Sequence, residues 1–179
     1  MLKVTIPATE QWDEVNQEFI NMKEQTLQLE HSLVSLSKWE SKWCKPFISR
    51  NIKTEEETID YIKCMTITQN VNPDIYKFIP NNIIEEIKRY IDAPMTATWF
   101  NEKNGKTNSE QITSELIYYW MISLNIPFEC EKWHLNRLLT LIRVCDIKNQ
   151  PAKRMSNNAI YNRNAALNAA RRGKLNSRG

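Results

Sequence analysis

Residues 109–147 read SEQITSELIYYWMISLNIPFECEKWHLNRLLTLIRVCDI. Apolar side chains recur there every three or four positions, the period of one helix face. Ile112, Leu116, Tyr119 and Trp120 fall on one stripe, and Ile117, Met121 and Leu124 on its neighbour. A helix apolar over so much of its circumference is expected to be mostly buried. After Asn125-Ile126-Pro127 a second helical stripe follows at Leu135, Leu138, Leu139, Ile142 and Cys145. Two such helices joined by a short turn predict an antiparallel helix hairpin at the hydrophobic centre. The fold class expected is mainly α (α+β), a helical domain around that hairpin.

Towards the N-terminus the period shortens. Leu2-Lys3-Val4-Thr5-Ile6 and residues 26–31 alternate apolar with polar, which predicts a pair of strands, because an isolated strand leaves its backbone groups unpaired. Residues 11–19 between them are expected to form a helical turn or a returning loop. Leu33, Leu36, Trp39, Trp43 and Phe47 then mark one helix face, capped by Ser32 or Ser35 and stopped by Pro46. Thr54-Glu55-Glu56-Glu57 is a capping box, and its three acids suit a helix N-terminus. Asn72-Pro73 opens a short helix, and Asn82 is placed to cap another through Ile84, Ile87 and Ile91. Residues 95–100, MTATWF, are β-prone and lead into a polar tip around Asn104-Gly105. Beyond Gln150-Pro151, Ser156 caps an Ala-rich segment with few large apolar residues, which alone is marginal as a helix in water. The expected division is a helix-rich globular domain over residues 1–149 and a basic C-terminal helix or tail over residues 150–179.

The formal net charge of +3 hides an asymmetry. Residues 148–179 hold eight Lys or Arg and no acid, which leaves residues 1–147 at net −5. An acidic body with a basic tail points to an acidic partner surface, to nucleic acid, or to the tail folding on its own body. Tyr161 is the one aromatic in that tail, so base stacking lacks support there and nucleic acid is not the partner expected. Three Gly in the chain leave no glycine-rich phosphate loop, which argues against P-loop and Rossmann nucleotide enzymes; no cofactor is expected. No apolar run approaches the roughly 20 residues that span a bilayer, so no membrane partner is expected. The four Cys form no CxxC pair and no signal peptide opens the chain. Free, buried thiols in a reducing cytoplasm are expected.

Few residues form a chemical constellation. Cys130 and His134 lie at i and i+4, the spacing of two metal ligands on one helix face, but no second pair completes a four-ligand zinc site. Glu129, Glu131 and His134 resemble an acid–base group without nucleophile, oxyanion donors or cofactor motif; carboxylates at a helix start have the dipole as sufficient reason. No metal site and no catalytic residue is therefore assigned, and an enzyme is not expected. His31 is expected to be a partly buried hydrogen-bonding residue. Six Trp in 179 residues is more than usual. Their commonest use is core filling, and their second is anchoring a partner helix. On the second use, the candidate partner-binding residues are Trp39, Trp43, Trp120, Met121 and Trp133, with Arg171 and Arg172 of the basic tail. The exposed margin of the hairpin around Trp120, Met121 and Trp133 is the surface expected to meet a partner, with Tyr118 and Tyr119 adding to it.

Three strings carry a family likeness: LQLEHSLVSLSKWESKWCKPF at residues 27–47, PMTATWF at residues 94–100, and ITSELIYYWMISLNIPFECEKWHLNRLLTLIRVCDIKN at residues 112–149. With the closing RR-x-KLN-x-RG, they resemble the tail assembly chaperones of tailed phages (siphophages) over nearly the whole chain. That resemblance implies a small protein of the infected host's cytoplasm. It implies binding of the long helical tape-measure protein, which is kept soluble until tail-tube subunits polymerise around it. The major tail protein is a second implied partner, and a homo-oligomer is compatible. Alternatives are a neck or head–tail joining protein of the virion, or a nucleic-acid-binding phage protein acting through the basic tail.

Overall fold

The computed structural model describes residues 1–13, 18–49, 52–100, 111–150 and 156–175. The fold is mainly α with a small N-terminal β element. The chain divides into two compact units, Met1–Ile147 and Lys148–Gly179.

In the first unit, strand β1 (Leu2–Ile6) pairs antiparallel with β4 (Gln25–Leu29), Leu2 opposite Leu29 and Ile6 opposite Gln25. The period of two puts Val4, Ile6, Leu27 and Leu29 on one buried face. Among the described residues between them there is no helical turn; residues 14–17 lie outside the described residues. Strand β2 (Thr9–Asp13) pairs antiparallel with β3 (Glu18–Met22). Neither segment carries the apolar alternation that announces a half-buried strand. The pairing itself, which satisfies the backbone of both, makes them strands.

Helix α1 (Leu33–Trp43) is the axis of the unit. Ser32 caps it, and Ser35 returns the bond to the backbone of Ser32. Its period divides it between two cores. Trp39 lies in the first, with β1, β4, α2 (Glu55–Met65), a 3-10 turn (Pro73–Phe78) and α3 (Asn81–Asp92). Leu33 and Leu36 lie in the second, with Ile117 and Met121 of α4 (Ser114–Ser123) and Leu135, Leu138 and Ile142 of α5 (Leu135–Asn149). The Trp39 indole donates to the Glu57 carbonyl at 2.9 Å, which fixes α2 against α1. Thr54 and Glu57 form the capping box on α2. Helix α3 begins one residue before the expected cap Asn82, with Pro80 at its N-cap and no side-chain cap bond.

The connection between α4 and α5 is longer than the turn expected. Thr113 caps α4; Ser109 and the polar tip at residues 101–108 lie outside the described residues. After Ser123 the chain passes Asn125, whose φ of 52° Asn tolerates better than most residues. A 3-10 stretch (Phe128–Lys132) follows before α5 starts. Residues 94–100 are irregular rather than extended, because no described strand lies beside them to complete a ladder. The buried Glu40 ties the end of α1 to the start of α4: its two carboxylate oxygens accept the backbone N–H of Phe47 and of Ser114, each at 2.7 Å.

In the second unit, α6 (Asn157–Leu175) starts at Ser156, whose hydroxyl accepts from the Ala159 N–H. None of its side chains is buried. Pro151 and the last residues of the closing RR-x-KLN-x-RG lie outside the described residues.

Candidate partner-binding surface

Helix α4 reads SELIYYWMIS, apolar over most of its circumference, and that composition predicted a mostly buried helix. Only Ser114, Ile117 and Met121 are buried, one stripe facing α1 and α5. Tyr119 keeps 63% of its surface exposed and Ile122 61%, and Phe128 at the start of the 3-10 stretch keeps 55%. The ring of the half-buried Tyr118 is tilted against that of Phe128, their centroids 6.4 Å apart. The Tyr118 hydroxyl donates to Glu131 at 2.9 Å. Burial first, and then this carboxylate, pushes its pKa up to about 12, so it stays a neutral donor.

On the neighbouring face, Trp120, Leu124, Leu139 and Ile142 line an open groove of about 370 Å³ between α4 and α5, edged by Arg143 and Asp146. Trp133 is half-buried, with the Arg137 guanidinium 4.3 Å from its ring centroid. The expected margin thus keeps Trp120 and Trp133 and loses Met121, which is fully buried because it continues the stripe of Ser114 and Ile117. Ile122 and Phe128 take its place beside Tyr119, which the sequence had already put on that surface. Their exposure was not readable from α4 alone, since hydrophobicity measures preference for a neighbour and does not say which neighbours exist.

The other proposed anchors are distributed differently. Trp39 is 1% exposed and belongs to the core, so it presents no surface to a partner. Trp43 stacks on it at 6.1 Å and donates its indole N–H to Asp60 at 2.9 Å. Lys42 also binds Asp60, and Lys42 and Lys45 each lie 5.8 Å from the Trp43 ring. The outer edge of α1 is therefore a polar lattice rather than an apolar anchor. Arg171 and Arg172 are exposed on α6, in the second unit.

The chemical constellations of the sequence come apart. The thiols are free but not all buried as expected: Cys130 is buried, whereas Cys44, at the C-cap of α1, is exposed. Cys130 lies in the 3-10 stretch and His134 precedes α5, so the two do not share an α-helix face. Among the described residues no group of His, Cys, Asp and Glu is placed to hold a metal ion. Glu131 is taken by Tyr118, and His134 donates through Nε2 to the Tyr90 carbonyl at 3.0 Å, so neither aims at a common point. His31 is more deeply buried than expected, 3% exposed, with Nδ1 bonded to the Tyr61 hydroxyl and its ring 5.1 Å from that of His134. No described helix is long and apolar enough to cross a membrane. No family model matches the chain, and neither does any curated protein or solved structure.

Proposed function

We propose that the chain is a tail assembly chaperone of a tailed phage, acting in the host cytoplasm. It binds amphipathic helices of the tape-measure protein and keeps them soluble until the major tail protein polymerises around them. The likeness of residues 27–47, 94–100 and 112–149 to that family supports the assignment, and the observation that carries it is the uncovered outer face of α4. Tyr119, Ile122 and Phe128 form an apolar surface that a client helix desolvates with its own apolar stripe. The adjoining groove at Trp120 and Leu139 receives bulky side chains from the same helix. Arg171 and Arg172 of α6 engage acidic client segments, with an energy that salt screens.

Co-expression with a tape-measure fragment tests the proposal. The fragment becomes soluble and co-purifies with the wild-type chain, and the Tyr119→Glu/Ile122→Glu variant loses most of that effect while remaining folded. A fragment equally insoluble with and without the wild-type chain overturns the proposal.

A further inference from the structure

A second groove lies between α2 and α3. Its floor is Tyr61 and Ile62 of α2 and Ile87 of α3, all buried, and Phe47, Ile84 and Ile91 form its walls. Its volume is about 280 Å³, just under the roughly 300–1,000 Å³ of drug-sized ligand sites, so it suits a few apolar side chains. It is the flank of a strongly one-sided helix: Ile83, Ile87 and Tyr90 of α3 are buried, whereas Ile84 and Ile91, one turn either side of Lys88, remain half-open.

Two cations edge this apolar floor. The Lys53 ammonium stands 4.2 Å from the centroid of the Phe47 ring. The carboxylate nearest in charge, Glu57, is already bonded by Lys45 at 2.6 Å and by the Thr54 N–H at 2.9 Å. Burial accordingly holds the Lys53 pKa below its ordinary value, with Glu57 opposing. Lys88 is exposed at the opposite edge, and among the described residues neither lysine forms an ion pair. A half-desolvated ammonium without a carboxylate of its own is stabilised by one brought from outside.

We propose that this groove is a second docking site, which takes an acidic amphipathic helix of another protein, its apolar anchors on Tyr61, Ile62 and Ile87 and its carboxylates on Lys53 and Lys88. Charge complementarity selects that partner. The floor asks for apolar side chains at one helical face, the rim asks for anions on either side of them, and a helix offers both at i, i+3 and i+4 spacing. The site uses no residue of the α4 surface and stands whether or not the chain is a tail chaperone.

The test uses the full chain and a fluorescein-labelled synthetic helix with a Leu stripe flanked by Glu, followed by fluorescence anisotropy. The expected result is saturable binding that weakens about tenfold, on the order of 1.4 kcal/mol, when the flanking Glu are replaced by Gln. The Lys53→Glu/Lys88→Glu variant loses binding of the Glu helix and gains binding of a Lys-flanked one. A matched reversal at Lys23 and Lys132, which do not line the groove, changes little. Circular dichroism checks each fold, and the neutral Lys53→Gln/Lys88→Gln variant substitutes if charge reversal unfolds the chain. Equal binding of the Glu and Gln helices overturns the proposal. So does undiminished binding to the groove variants, which would place the helix on the α4 face, on α6 or on a second copy. Absence of binding overturns it as well.

Discussion

Burying two imidazoles side by side has a consequence for acid stability. His31 and His134 are 3% and 6% exposed, and their rings touch edge to face. The Tyr90 carbonyl can only accept, so His134 Nε2 carries the proton and Nδ1, buried and without a partner among the described residues, carries the lone pair. Burial, and secondarily the neighbouring His134, lowers the His31 pKa from 6.5 to about 3. Burial lowers that of His134 too. Both therefore stay neutral in the folded chain over a range where the unfolded chain takes up protons. The stability they allow is complete above about pH 6.5 and declines as the pH falls, by about 1.4 kcal/mol per unit for His31 alone. The carboxylates whose pKa values are lowered, Glu57, Asp60 and Glu115, act in the same direction, but only below about pH 4.5, so the window above it belongs to the histidines. Urea unfolding near pH 7.5 and near pH 5 measures the effect, and a loss of about 2 kcal/mol is expected. His31→Gln is less stable throughout and shows a shallower dependence; an unchanged slope would assign it to other groups.

At the scale of elements, α4 separates what is covered from what is not. Ile117 is fully buried between α1 and α5, whereas Ile122 is 61% exposed on the same helix. Ile117→Ala therefore costs about 2–4 kcal/mol in transfer and cavity energy. Ile122→Glu stays within about 0.5 kcal/mol. Urea midpoints of the two variants decide it, and equal losses would mean that the outer face of α4 is covered. The same helix marks how far local pattern carries. The cap of α1 at Ser32, the capping box at Thr54 and the pairing of β1 with β4 were readable, because each depends on residues a few positions apart or on a period of two. The β2–β3 hairpin was not, since its strands become strands through each other. Residues 95–100 failed in the opposite sense, with β-prone side chains but no neighbouring strand. The candidate surface was half readable. Its place, on the α4–α5 segment, followed from the concentration of Trp and Tyr there. Its membership depended on which stripe met α1, and that removed Met121 and Trp39, kept Tyr119, and added Ile122 and Phe128.

At the scale of the whole molecule, the two units differ in what holds them. The first has two apolar cores sharing α1, while α6 buries none of its side chains. A helix that buries none of its side chains relies on its cap at Ser156 and on the intrinsic propensity of its alanines, which its Asn residues and Gly173 oppose. Its backbone amides are expected to exchange with solvent far faster than those of α1 or α2. Truncation after Asn149 should then leave the free energy of unfolding within about 0.5 kcal/mol of the full chain. Its denaturant slope should be little changed, because that slope follows the surface exposed on unfolding. Charge changes far more. Residues 150–179 contain seven Lys or Arg and no acid, so removing them takes the formal net charge from +3 to −4. Near neutral pH the full chain should be retained by a cation exchanger and the truncated one by an anion exchanger. A truncated protein with a clearly lower urea midpoint would show instead that residues 150–179 stabilise the body, and that α6 is held by more than its own sequence.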